Sequence, residues 1–256
     1  MSNITGKFVW YDLMTTDVDA AASFYGSVIG WTAADSGMND RSYRLLSAGP
    51  AMVGGLMPLP ENLRAAGVPP CWTGYVGVDD VDAYAVRVRE AGGSVRRGPD
   101  DIPGVGRFAV VADPYGAVFI LFKGAGDAVP ADAAPMTPGH IGWRELHAGD
   151  WEGAFAFYSG LFGWTKAEAH DMGPMGVYQT FATGGPAVGG MMTREAHVPV
   201  SFWLYYFAVD SVDAALSRVK NGKGQVLNGP EQVPGGVWIA QCLDPQGAAF
   251  AIVGAK

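Results

Sequence analysis

Glu145 and His147 stand two residues apart in the segment 141–148. In an extended chain that spacing sends both side chains to one face, so a carboxylate lies beside an imidazole. Such a pair can exchange a proton with a bound molecule, or supply two of the roughly three or four donors a metal site needs. No third donor stands near it in sequence, and His140, His170 and His197 show no metal-type spacing. Cys71 and Cys242 lack a Cys-x-x-Cys arrangement and read as two buried thiols of a cytoplasmic protein. Asp12 completes the set of candidate catalytic groups, because the stretch carrying Glu145 occurs a second time around it.

Trp10 to Thr32 returns as Trp143 to Thr165, a constant shift of 133, with nine of the twenty-three positions identical. Unrelated segments would share about one or two, so this is an internal repeat. The shift aligns Asp12 with Glu145 and Met14 with His147. Each half repeats within itself as well: Asp17-Val18-Asp19-Ala20 is echoed by Asp80-Val81-Asp82-Ala83 and by Val212-Asp213-Ala214. Trp72–Val78 matches Trp203–Val209, and the turns Asp113-Pro114-Tyr115-Gly116 and Asp244-Pro245-Gln246-Gly247 correspond. Four modules of one kind result, paired into a first domain over 1–124 and a second over 139–256. Residues 125–138, heavy in Ala, Asp, Gly and Pro, read as the linker.

Within a module the residues dictate a strand, a helix and further strands. Phe8–Met14 has strand composition, and Thr16 or Asp17 can cap a helix whose Ala21, Phe24, Tyr25 and Val28 make a buried stripe ending at Gly30. Short strands follow around Tyr43–Ala48 and Met52–Met57, with room for one more before Tyr43. Pro58–Pro70 reads as a linker, and Phe108–Ala112 with Ala117–Phe122 as a hairpin.

Hydrophobic residues make up 49% of the 256 positions, enough for packed cores. A net charge of −8 without a basic cluster argues against nucleic acid and anionic membrane surfaces as partners. No signal peptide or apolar run of membrane-spanning length is present in the sequence, so a cytoplasmic location and no membrane are expected.

The strand with Asp at its end, the helix carrying Phe24-Tyr25 and closing in Gly30-Trp31, the copies at Asp150, Phe157-Tyr158 and Gly163-Trp164, and the Asp-Pro-x-Gly hairpins resemble the vicinal oxygen chelate superfamily. That superfamily contains glyoxalases, bleomycin-resistance proteins and extradiol dioxygenases. The resemblance implies an α+β fold of two tandem glyoxalase-like domains, each of two βαβββ modules forming a curved mixed sheet around a cavity. It also implies that metal-dependent relatives place ligands at positions that here hold Trp10, Trp143, Ile120 and Ala251, and near Thr73, Leu204 and the Gly54-Gly55 and Gly189-Gly190 pairs. None of these offers an imidazole, thiolate or carboxylate, so no metal and no cofactor are expected. The metal-ligand parity of such strands faces the cavity. The resemblance thereby assigns Trp10, Asp12, Met14, Tyr75 and Ile120 to a ligand site in the first domain, and Trp143, Glu145, His147 and Tyr206 to one in the second.

Apolar walls with one carboxylate suit a small molecule. The expectation is a metal-independent protein binding a small aromatic or cationic molecule against tryptophan, as bleomycin-resistance proteins do. The alternative is an enzyme of the superfamily, a lyase, isomerase or hydroxylase using Asp12, Glu145 or His147 as acid or base, or a metal site moved elsewhere. Satisfaction of Asp12 and Glu145 by backbone N–H groups or by Arg44 and Arg144 is the structural counterpart of both. Because one chain already holds four modules, it is expected to be a monomer.

Overall fold

The computed structural model describes residues 4–37, 43–126 and 133–256. The first module runs β1 (Phe8–Thr15), α1 (Val18–Ile29), β2 (Thr32–Asp35), β3 (Arg44–Ala48) and β4 (Ala51–Pro58). The stretch read as a plain linker carries a short helix, α2 (Glu61–Ala65), held by an Arg64–Glu61 ion pair. Next come β5 (Cys71–Gly77), α3 (Val81–Glu90), β6 (Ser94–Ile102), β7 (Gly106–Ala112) and β8 (Val118–Gly124). The third module is β9 (Ile141–Ala148), α4 (Trp151–Phe162), β10 (Thr165–Asp171), β11 (Val177–Ala182) and β12 (Ala187–Thr193). The fourth is β13 (Phe202–Ser211), α5 (Val212–Asn221), β14 (Gln225–Gln232), β15 (Trp238–Leu243) and β16 (Ala249–Ala255). Part of the expected linker, residues 127–132, lies outside the described residues. Among the described residues no helix is long and apolar enough to cross a membrane.

Two eight-stranded mixed sheets result, ordered β2-β3-β4-β1-β5-β8-β7-β6 and β10-β11-β12-β9-β13-β16-β15-β14. Their registers repeat: Asp12 pairs with Gly55 as Glu145 pairs with Gly190, and Tyr75 with Ile120 as Tyr206 with Ala251. The fold is α+β with four βαβββ modules; the repeat gave their number, and the family resemblance implied their form.

The helix ends follow their sequence signals. Oδ1 of Asp17 accepts from the Ala20 amide and Oδ1 of Asp80 from that of Ala83, while Asp150 accepts from Glu152 and Gly153. Gly30 and Gly163 close α1 and α4 at φ 90° and 71°, where a side chain would be strained.

Compactness divides the chain differently from sequence order. One unit joins α3 and β6–β8 to α4 and β10–β12; the other joins α1 and β2–β4 to α5 and β14–β16. Each unit therefore pairs modules from opposite halves. In the second unit Trp72 donates to the Tyr25 hydroxyl at 2.9 Å, and that hydroxyl donates to Oδ2 of Asp244 at 3.1 Å. The first unit repeats this with Trp203, Tyr158 and Asp113, at 3.1 and 3.3 Å. Burial pushes both aspartates above the usual carboxylate range, opposed by the amides they accept from. The same burial holds the Tyr25 phenol well above its ordinary value. Arg218 of α5 donates to the Val28 carbonyl at the end of α1, and Arg87 of α3 to Gly160 and Leu161 at the end of α4. Neither α1 nor α4 has a basic residue in its last turn, so the cation each C-terminus favours comes from the other half. Trp31 and Trp164 are buried, their indoles donating to the Gly139 and Gly6 carbonyls at 2.6 and 2.7 Å.

Candidate functional site

Glu145 and His147 occupy alternate positions of β9 and meet, as period-two geometry requires: Nε2 of His147 lies 2.8 Å from Oε1 of Glu145. The other carboxylate oxygen accepts from the Tyr178 hydroxyl of β11 at 2.9 Å. Between β9 and β11 runs β12, and Tyr178 reaches across it because position 190 is glycine. A Cβ there would fall on the phenol ring and its hydroxyl, far inside ordinary contact. Phe202, at the start of β13, lies parallel to the imidazole with centroids 4.6 Å apart and planes 2° apart. The Glu145 side chain is 8% exposed and that of His147 15%, so the imidazole is the more open of the two. All of these residues belong to the first compact unit.

The first half repeats part of this cluster, within the second unit. Tyr43 donates to Oδ1 of Asp12 at 2.6 Å, and it lies over Gly55 as Tyr178 lies over Gly190. Asp12 is 4% exposed, and a buried carboxylate of this kind requires such a donor. Met14 stands where the second half has His147, and Cys71 where it has Phe202. The copy keeps a carboxylate–phenol pair and has no imidazole at that place.

Tyrosines are partners of both carboxylates, beside the arginine and backbone groups that were expected. Arg44 pairs with Asp19 and Asp35, at 3.3 and 3.7 Å, and Arg144 lies over the Phe8 ring. Sequence reasoning missed Tyr43 and Tyr178, although a signal existed: each stands twelve residues before the second glycine of a Gly-Gly pair. Cys71 is half-buried rather than buried, whereas burial pushes the Cys242 thiol up to about 12.

The remaining assigned residues separate into local settings. Trp10, Tyr75 and Ile120 pack together with Phe108 in the first unit. Met14 lies in register with Met57 in the second, where Trp143 is half-buried. Tyr206 is buried there, and its hydroxyl accepts from Gln241 Nε2 at 3.2 Å. Two open clefts in the first unit, of about 530 and 380 Å³, share no residue with either carboxylate cluster.

Gly55 and Gly190 are covered by tyrosine, and Glu145 and His147 bond to one another. Among the described residues no three His, Cys, Asp or Glu side chains gather into a possible metal site.

Four βαβββ modules in two mixed sheets, with paired carboxylates at equivalent places, define a tandem glyoxalase-like protein. The chain matches the Glyoxalase/Bleomycin resistance protein/Dioxygenase superfamily over residues 7–121 and 138–252, and it belongs to that family. It is 33% identical over 246 residues to the protein named "Putative glyoxylase CFP32" of Mycobacterium tuberculosis, covering 95% of this chain and 93% of that one. It is 35% identical over 266 residues to the anthracycline biosynthesis protein DnrV of Streptomyces peucetius, covering 97% and 93%. Among solved structures, the Mn(II)-bound glyoxalase of Novosphingobium aromaticivorans superposes with a TM-score of 0.65 at 18% identity, over 98% of this chain and 82% of that one, a likeness of fold.

Proposed function

We propose that this protein binds a small, flat, aromatic or cationic molecule without a metal, and that Glu145 with its Tyr178 and His147 partners anchors it. The observation that carries this reading is the buried Glu145 carboxylate, bonded on both oxygens, beside an imidazole that stays partly open and is stacked on Phe202. A planar ligand can extend that stack, and a carboxylate answers a cation or an acidic hydroxyl. Two relatives carry anthracycline biosynthesis in their names, and an anthracycline nucleus is flat and aromatic. Asp12 with Tyr43 is the corresponding anchor of the first half, and Trp10, Met14, Tyr75, Ile120, Trp143 and Tyr206 are the proposed apolar contacts. The monomeric state and a cytoplasmic location belong to the same proposal.

Isothermal titration against planar aromatic cations and hydroxylated aromatic ketones tests it, with Glu145→Gln, Asp12→Asn, Trp10→Ala and Trp143→Ala alongside. Binding at micromolar affinity that weakens at least tenfold in Glu145→Gln is expected. Affinity unchanged in all four variants refutes the assignment. The His147–Glu145 bond favours a second reading, in which the protein is an acid–base enzyme of the superfamily.

A further inference from the structure

We infer that Nδ1 of His147 is a proton acceptor for the bound molecule, and that only the second half of the chain can perform this step. The inference rests on the binding reading above and adds to it a reacting atom and a substrate class.

The bond pattern selects the atom. Nε2 faces a carboxylate oxygen at 2.8 Å, so it carries the ring hydrogen and donates. The lone pair of the neutral ring is then on Nδ1, which no described residue engages in a hydrogen bond. Glu145 can stabilise the imidazolium that forms, because its second oxygen is held by the Tyr178 hydroxyl and its orientation is set from two sides. Phe202 covers one face of the ring at 4.6 Å and fixes its plane, so the lone pair keeps one direction. Glu145 and Tyr178 are the titratable groups hydrogen-bonded within this cluster.

The two halves differ at the residues this requires. Met14 replaces the imidazole and Cys71 replaces the stacking ring, while the carboxylate–phenol pair survives as Asp12 and Tyr43. Loss of base and stacking partner together leaves the first copy able to hold a polar group and unable to take a proton through nitrogen.

The substrate class is a planar aromatic molecule with an acidic C–H or O–H at its edge, such as an aryl ketone bearing an α-hydrogen. The C–H bond breaks, its proton passes to Nδ1, and the electron pair remains on the substrate as an enolate. Return of the proton to another position gives an isomer, with no oxidant or other co-reactant consumed.

The probe is 5-nitrobenzisoxazole, a planar molecule that opens to a coloured cyanonitrophenolate when a base removes its ring C–H and its N–O bond breaks. The full-length protein should accelerate this opening over buffer, with a rate that rises as the imidazole loses its proton. His147→Gln should lower the rate at saturating probe at least about 100-fold, a comparison from which any change in probe affinity drops out. Glu145→Gln should displace the pH profile, and His197→Gln, on an exposed loop, should change nothing. A rate that survives in His147→Gln overturns the inference. So does a bound probe that is not accelerated, in which case the binding reading stands and the base does not. Long-range nitrogen NMR of the histidine ring provides a measurement free of any ligand: a neutral His147 protonated on Nδ1 also overturns it.

Discussion

Gly190→Ala is the most exacting test of how Glu145 is held. The added methyl would fall on the Tyr178 ring, where ordinary contact begins only at 3.4 Å. The phenol must retreat by about 1 Å, which stretches its 2.9 Å bond to Glu145 beyond hydrogen-bonding range. A buried carboxylate deprived of one donor costs about 1.5–3 kcal/mol, and residual overpacking adds about 1–3 kcal/mol. Since the ring is the far end of a side chain and can partly yield, the sum should fall near 2–4 kcal/mol. Urea unfolding followed by tryptophan fluorescence reads it directly. Tyr178→Ala supplies the control: the three nearest neighbours of the added methyl are all atoms of that ring, so Gly190→Ala in that background should cost clearly less than in the intact protein. A single-variant cost below about 0.5 kcal/mol, or one equally large in both backgrounds, refutes the role given to the glycine.

Tyr25→Phe removes the hydroxyl that joins Trp72 to Asp244 and should destabilise by about 1–3 kcal/mol in the same assay; a neutral effect would mean that water replaces it. Asp244 has its folded-state value raised by burial, so its contribution to stability is fully present below the unfolded value, about 3.9, and is lost as pH rises through the folded one. The stability of the protein relative to Asp244→Asn should accordingly decline from about pH 3 to pH 7, and a gap that widens would contradict burial as the governing cause. Cys242, buried and shifted to about 12, should resist alkylation in the folded protein while half-buried Cys71 reacts, which intact-mass spectrometry after brief iodoacetamide treatment distinguishes. Sedimentation should give a mass near 26.9 kDa; twice that value would refute the monomer.

Much of this protein was legible without coordinates, and the legible part was local. Helix caps at Asp17, Asp80 and Asp150 and the left-handed glycines at 30 and 163 depend on residues a few positions apart, so spacing decides them. The Glu145–His147 contact was equally readable, because alternation along one strand needs no knowledge of its neighbours. The 133-residue shift made the four-module fold visible before any contact was known. The tyrosines on the two carboxylates were not legible: placing Tyr178 on Glu145 requires the register of three strands at once, together with a glycine whose missing side chain opens the path. Nor could the sequence say whose hairpin each helix would meet. A repeated chain offers Tyr25 two equivalent aspartates, Asp113 in its own half and Asp244 in the other. Local chemistry is the same for both, so the choice of Asp244, 219 residues away, was made by tertiary packing alone.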